Sequence, residues 1–272
     1  MNQRFKTGLL MGLALIPLLI WGDRFFIFTI FCLLLSIGAA IEFRLMVRKI
    51  HELPKWIDLI TVALTGLIYL SVYAVAVNQF DARILLIEMI LILMIFAILM
   101  VFVEEFNPGD FGNAILTILY CSLGFATFSI FRTMGLHYVL YILIVVMVTD
   151  TAAYFFGIRF GKHKIAPTVS PKKSVEGSIA GLIFGVMSGT LFGYFLSVMG
   201  SGYSILHYIL ISVAVSTVGQ IGDLVASKFK RSHGIKDYSN LFPGHGGILD
   251  RFDSSVFSSL FLFLILLISE VF

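Results

Sequence analysis

Apolar residues fill this chain in runs of about 20, the length that carries an α-helix across a bilayer. Nine segments are predicted, at about 8–21, 25–41, 57–77, 83–103, 113–131, 138–157, 177–199, 204–226 and 252–271. The first is short and contains Pro17, and with Arg4 and Lys6 ahead of it the run is similar to a signal peptide. No small-residue cleavage site follows at Trp21-Gly22-Asp23-Arg24, so the segment is taken as a membrane helix. A re-entrant hairpin over 8–41 would serve equally and leave the remaining topology unchanged. The pattern predicts an all-α, polytopic membrane helix bundle, with no internal repeat and no soluble domain.

Lysine and arginine orient the bundle. With nine spans, one side receives Arg4, Lys6, Arg44, Arg48, Lys49, Lys55, Arg159, Lys162, Lys164, Lys172, Lys173, Lys228, Lys230, Arg231, Lys236 and Arg251. The other receives only Arg24, Arg83 and Arg132. The rich side is expected to face the cytoplasm. Its two long loops, 158–176 and 227–251, carry most of the polar chemistry.

Composition then removes whole classes. The chain has 272 residues, 59% apolar and 13% charged, against about 25% charged in soluble domains. So few charges would not cover a soluble domain, and so many aromatics exclude disorder. A net charge of +3 gives no reason to expect a nucleic-acid partner. Cys32 and Cys121 lie in apolar runs and read as small core residues.

Charge inside a span is costly and usually functional. Asp150 falls about eight residues from the inner end of its segment, roughly 12 Å deep. Asp223 lies near the inner end of the eighth segment, and Asp250 and Asp253 open the ninth at i and i+3, on one helical face. Carboxylates at one surface repel one another unless a cation joins them, and hard oxygen ligands suit Mg²⁺. Asp150 would serve equally as a buried hydrogen-bonding residue, and Asp250 and Asp253 would also suit the positive end of a helix dipole. Between these acids, Pro243-Gly244-His245-Gly246-Gly247 lets backbone amides approach a ligand closely. Ser170 to Gly177, with Lys173 and Ser174, places hydroxyls and lysines at a helix start, where anions bind. Gly157 to His163 has the wrong spacing for a phosphate-binding P-loop, and His51-Glu52 lacks the second histidine of a zinc protease motif.

The run from Ser227 to Asp253 resembles the signature of the phosphatidate cytidylyltransferase, or CDP-diacylglycerol synthase, family. Ser227, Phe229, Lys230, Arg231, Lys236, Asp237, Ser239, Phe242, Pro243, His245, Gly246, Gly247, Ile248, Asp250, Arg251, Phe252 and Asp253 occupy its fixed positions. Asp150 to Lys162 and Ser170 to Gly177 also resemble the family. Lys172 stands where relatives more often have glycine, so it is given no distinctive role. The resemblance implies transfer of the cytidylyl group of CTP to phosphatidic acid, giving CDP-diacylglycerol and pyrophosphate for phospholipid synthesis.

The expected catalytic residues are then Asp223, Lys236, Asp250 and Asp253, with Asp223, Asp250 and Asp253 holding Mg²⁺ and a second cation allowed. Lys173, Ser174, Lys230, Arg231, His245, Gly246, Gly247 and Arg251 would bind the substrates, with Asp150 and Asp237 as additional candidates. One membrane-embedded domain is expected, with 1–135 mainly scaffold and 136–272 carrying the motifs. The place is the cell membrane, inner or plasma membrane in a bacterium, with the bilayer as partner and a homodimer allowed. Among rivals, CDP-alcohol phosphotransferases carry an aspartate pattern absent here, and a CTP-dependent polyprenol kinase would not need the whole 227–253 run. A transporter would place its polar groups at the midplane of repeated, interrupted helices.

Overall fold

The computed structural model describes residues 13, 16–22, 26–78, 80–200 and 202–271. Eight helices among these residues are long and apolar enough to span a membrane. They are α1 (Ile27–Val47), α2 (Lys55–Asn78), α3 (Arg83–Phe102), α4 (Pro108–Met134), α5 (Leu136–Phe160), α6 (Val175–Phe195), α7 (Ile205–Ser232) and α8 (Leu249–Val271). They correspond one for one to the last eight predicted segments. Several run a turn or more past the apolar run, because charged residues such as Arg44 and Lys230 continue the helix beyond it. Most of the first predicted segment, with Arg4 and Lys6, lies outside the described residues; within it 16–21 are helical. The basic loop after α5 holds a small antiparallel hairpin that the apolar pattern does not signal, β1 (Lys164–Ala166) with β2 (Ser170–Ser174).

The chain divides into two compact units. The first takes the residues up to Thr133 and His233–Arg251. Leu53, Ile57, Ile68, Phe96, Phe106 and Ile118 form an apolar core in it. Polar groups join its helices: Ser36 Oγ donates to the Cys121 carbonyl (2.9 Å), and Tyr69 Oη to the Thr29 carbonyl (2.8 Å). Arg44, 1% exposed, places Nε 2.7 Å from Asp58 Oδ1, and Arg48 holds the other oxygen of the same carboxylate. Arg132 is buried, with Nε donating to the Leu19 carbonyl (2.9 Å). Cys32 and Cys121 are free, buried thiols.

The second unit takes Met134–Ser232 and Phe252 onward. Along α6, Gly177, Gly181, Gly185, Gly189 and Gly193 recur every four residues and so share one face. A Cβ at Gly177 would lie 2.6 Å from the Ala153 carbonyl oxygen, and one at Gly181 2.7 Å from that of Thr149. In lipid, helices gain nothing from apolar burial alone, so such small-residue faces and interhelical hydrogen bonds hold them together. The bonds are present between α5 and α7: Tyr141 to Ser212 at 2.7 Å and Thr149 to Ser216 at 2.8 Å. Gly222 does the same for α7 and α8; its Cβ would lie 2.7 Å from Phe257 Cβ and 3.0 Å from the Asp253 carbonyl oxygen.

Candidate active site

The first unit holds the glycine loop. Gly244 and Gly246 have φ of 79° and 83°, a left-handed backbone that favours glycine. Phe242 N donates to the Gly246 carbonyl (2.9 Å) and His245 N to the Phe242 carbonyl (2.8 Å), closing a tight turn. Asp250 Oδ2 fastens it, accepting from Tyr238 N (2.8 Å) and Gly247 N (2.9 Å). A Cβ at Gly246 would lie 2.7 Å from that oxygen. Tyr238 stacks on Phe43 of α1 with ring centroids 6.3 Å apart. Lys236, Asp237 and Arg251 are exposed. His245 Nδ1 is buried and has no hydrogen-bond partner, a state native structures rarely leave unexplained.

One residue here went unseen in the sequence. Glu42 of α1, 5% exposed, accepts from Ile248 N (2.9 Å), Leu249 N (3.0 Å) and Ser239 Oγ (2.6 Å). It stands one position past the predicted end of its segment. Run to Val47, the helix makes it an acid within a span, which is the signal that marks function.

The second unit holds a cluster of charge. Lys173, next to last in β2, places Nζ 2.6 Å from Asp223 Oδ2 and donates to the Gln220 carbonyl at 3.3 Å. Ser227 Oγ donates to the other Asp223 oxygen at 3.3 Å, one helical turn on. Asp150 of α5 lies in the electrostatic field of Asp223 and Lys173. Asp253, 8% exposed, lies in that of Asp223, Lys230 and Asp150, and Lys230 is equally buried. Three acids and two lysines therefore share one neighbourhood. Among the described residues, no three His, Cys, Asp or Glu side chains are grouped as ligands for one ion.

Ser174 and Arg231, two further expected residues, and the neighbouring Glu176 also make contacts within this unit. Ser174 Oγ caps α6, accepting from Gly177 N at 3.2 Å, and is buried. Arg231 Nε donates to the Val169 carbonyl at 3.3 Å, tying the end of α7 to the hairpin turn. Glu176 accepts from the backbone amides of Lys162 (3.0 Å) and His163 (3.2 Å), closing the same loop.

Spanning helices with their polar chemistry gathered at a few helix ends and one glycine turn define a polytopic integral membrane protein. The chain belongs to the cytidylyltransferase family, whose model matches residues 2–269. A phosphatidate cytidylyltransferase of Staphylococcus haemolyticus (strain JCSC1435) is 39% identical over 154 residues, 57% of this chain and 58% of that protein. One from Staphylococcus aureus (strain COL) is 40% identical over the same shares, so in these two matches the chain spans less than two thirds of its relatives' length. One from Staphylococcus epidermidis (strain ATCC 35984) is 33% identical over 258 residues, 94% of this chain and 95% of that protein.

Proposed function

We propose that this chain transfers the cytidylyl group of CTP to phosphatidic acid, giving CDP-diacylglycerol and pyrophosphate. The observation that carries the reading is the cluster of Asp150, Asp223, Asp253 and Lys230 on membrane-spanning helices with Lys173 of β2, in which Asp253 and Lys230 are buried. Such a group handles phosphate charge where a lipid can reach it. The names of the relatives and the Ser227–Asp253 motif support the same reaction.

A phosphatidate oxygen attacks the α-phosphorus of CTP. A new P–O bond forms there as the bond to the bridging α–β oxygen breaks, and the electron pair leaves with pyrophosphate. The attacking phosphate is already ionised, so no strong base is needed; the barrier is repulsion between two anions, which fixed cations lower. Lys173, Lys230, Arg231, Lys236 and Arg251 are assigned to that task. The glycine turn lets the backbone approach a ligand closely, and the unpartnered Nδ1 of His245 orients a phosphate or its water.

The carboxylate oxygens of Asp223 and Asp253 are hard ligands of the kind that suits a divalent cation. Those two residues would hold Mg²⁺, with Asp250 added by the motif alone. The ion supplies charge neutralisation to the phosphates when bound. The excess of basic residues at one set of span ends supports a cytoplasmic face for this chemistry.

The test is purified protein in detergent, given phosphatidic acid and CTP labelled at the α-phosphate, with and without Mg²⁺. Label is expected in a lipid-soluble product only with metal. Label confined to the aqueous phase would overturn the reading, and equal transfer of the γ-phosphate of ATP would assign a lipid kinase instead.

A further inference from the structure

We infer that Glu42 is the positioning residue for the glycine turn, holding its exit in the one geometry in which Asp250 Oδ2 fastens the turn through Tyr238 N and Gly247 N. Its carboxylate joins both sides of the turn: Ser239 in the segment that enters it, Ile248 and Leu249 where the chain leaves it into α8. A buried carboxylate is tolerated only when its lone pairs are met, and here three donors meet it. Gly247 is the complement of this contact. Its φ is ordinary, but a Cβ there would lie 2.6 Å from Glu42 Cδ and Oε2 and closer still to Oε1, so glycine is required for room rather than for backbone freedom. Ile248 seats its side chain against Gly38, one turn earlier on α1, so the same helix holds the turn by packing as well.

The inference deepens the reaction proposed above and rests on it for the catalytic readout. Glu42→Gln keeps the shape but turns one acceptor into a donor that faces a backbone N–H. Hydrogen–deuterium exchange over 239–250, measured on the full protein in detergent without substrates, is expected to accelerate in E42Q and, to a smaller degree, in Ser239→Ala. The kcat for CDP-lipid formation is expected to fall about tenfold to a hundredfold, the order of effect of a small displacement in a reacting geometry. Because Gly247→Ala acts by striking Glu42, it is expected to speed exchange in the native background and to add nothing in Glu42→Ala.

Unchanged exchange in both E42Q and S239A overturns the positioning role. So does faster exchange with unaltered kcat, or a G247A effect that is additive with E42A. If the unmodified protein makes no CDP-lipid, the proposed reaction fails instead, and the exchange measurements still decide the clamp.

Discussion

Two acids carry opposite duties. Asp223 shares its carboxylate between Lys173 and Ser227, one cation and one hydroxyl. Asp223→Asn keeps the volume and removes the charge, so turnover is expected to fall at least about a hundredfold, the scale of losing one electrostatic group at a reacting centre. Circular dichroism should remain that of the native protein, and near-normal turnover would remove Asp223 from the site. Asp58 instead faces two arginines, one of them 1% exposed. Asp58→Ala leaves that buried guanidinium without its partner, a change that costs about 3–5 kcal/mol when a buried pair is broken. A lowered detergent melting temperature is expected, and an unchanged one would show the pair to be dispensable.

The glycine face of α6 predicts behaviour at the level of the element. Gly185→Val drives a branched side chain into Thr149 and Ser216, an overpacking that costs about 1–3 kcal/mol. Gly112 of α4 has open space where a Cβ would go. Gly112→Ala should therefore stabilise by about 0.5–1 kcal/mol, the helix preference of alanine over glycine. Melting curves of the two variants, side by side, test whether crowding rather than helix propensity decides.

The helices themselves were legible because lipid imposes a length on every apolar run, and a run of 20 residues leaves little choice. Asp250 and Asp253 stand out in the sequence because the motif fixes their spacing. Glu42 was not, since it stands one residue beyond a predicted end that the helix passes by six. Nor was the hairpin at 164–174, which depends on backbone pairing between polar residues that carry no apolar alternation. Ser174 shows the limit of motif reading: its place was visible, but its capping of α6 depends on a hydrogen bond to Gly177.

For the whole molecule, the prediction is one of sidedness. Sixteen of nineteen basic residues assigned to one face require the exposed Asp237 to meet the cytoplasm and the exposed Gly202 the opposite side. Asp237→Cys should react with a membrane-impermeant maleimide only in inverted vesicles, and Gly202→Cys only in right-side-out ones. The reverse labelling would invert the assignment. Both native thiols, Cys32 and Cys121, are buried in the first unit. The natural chain is thus chemically silent toward such reagents, and a thiol introduced at any exposed position reports its own surroundings without a background to subtract.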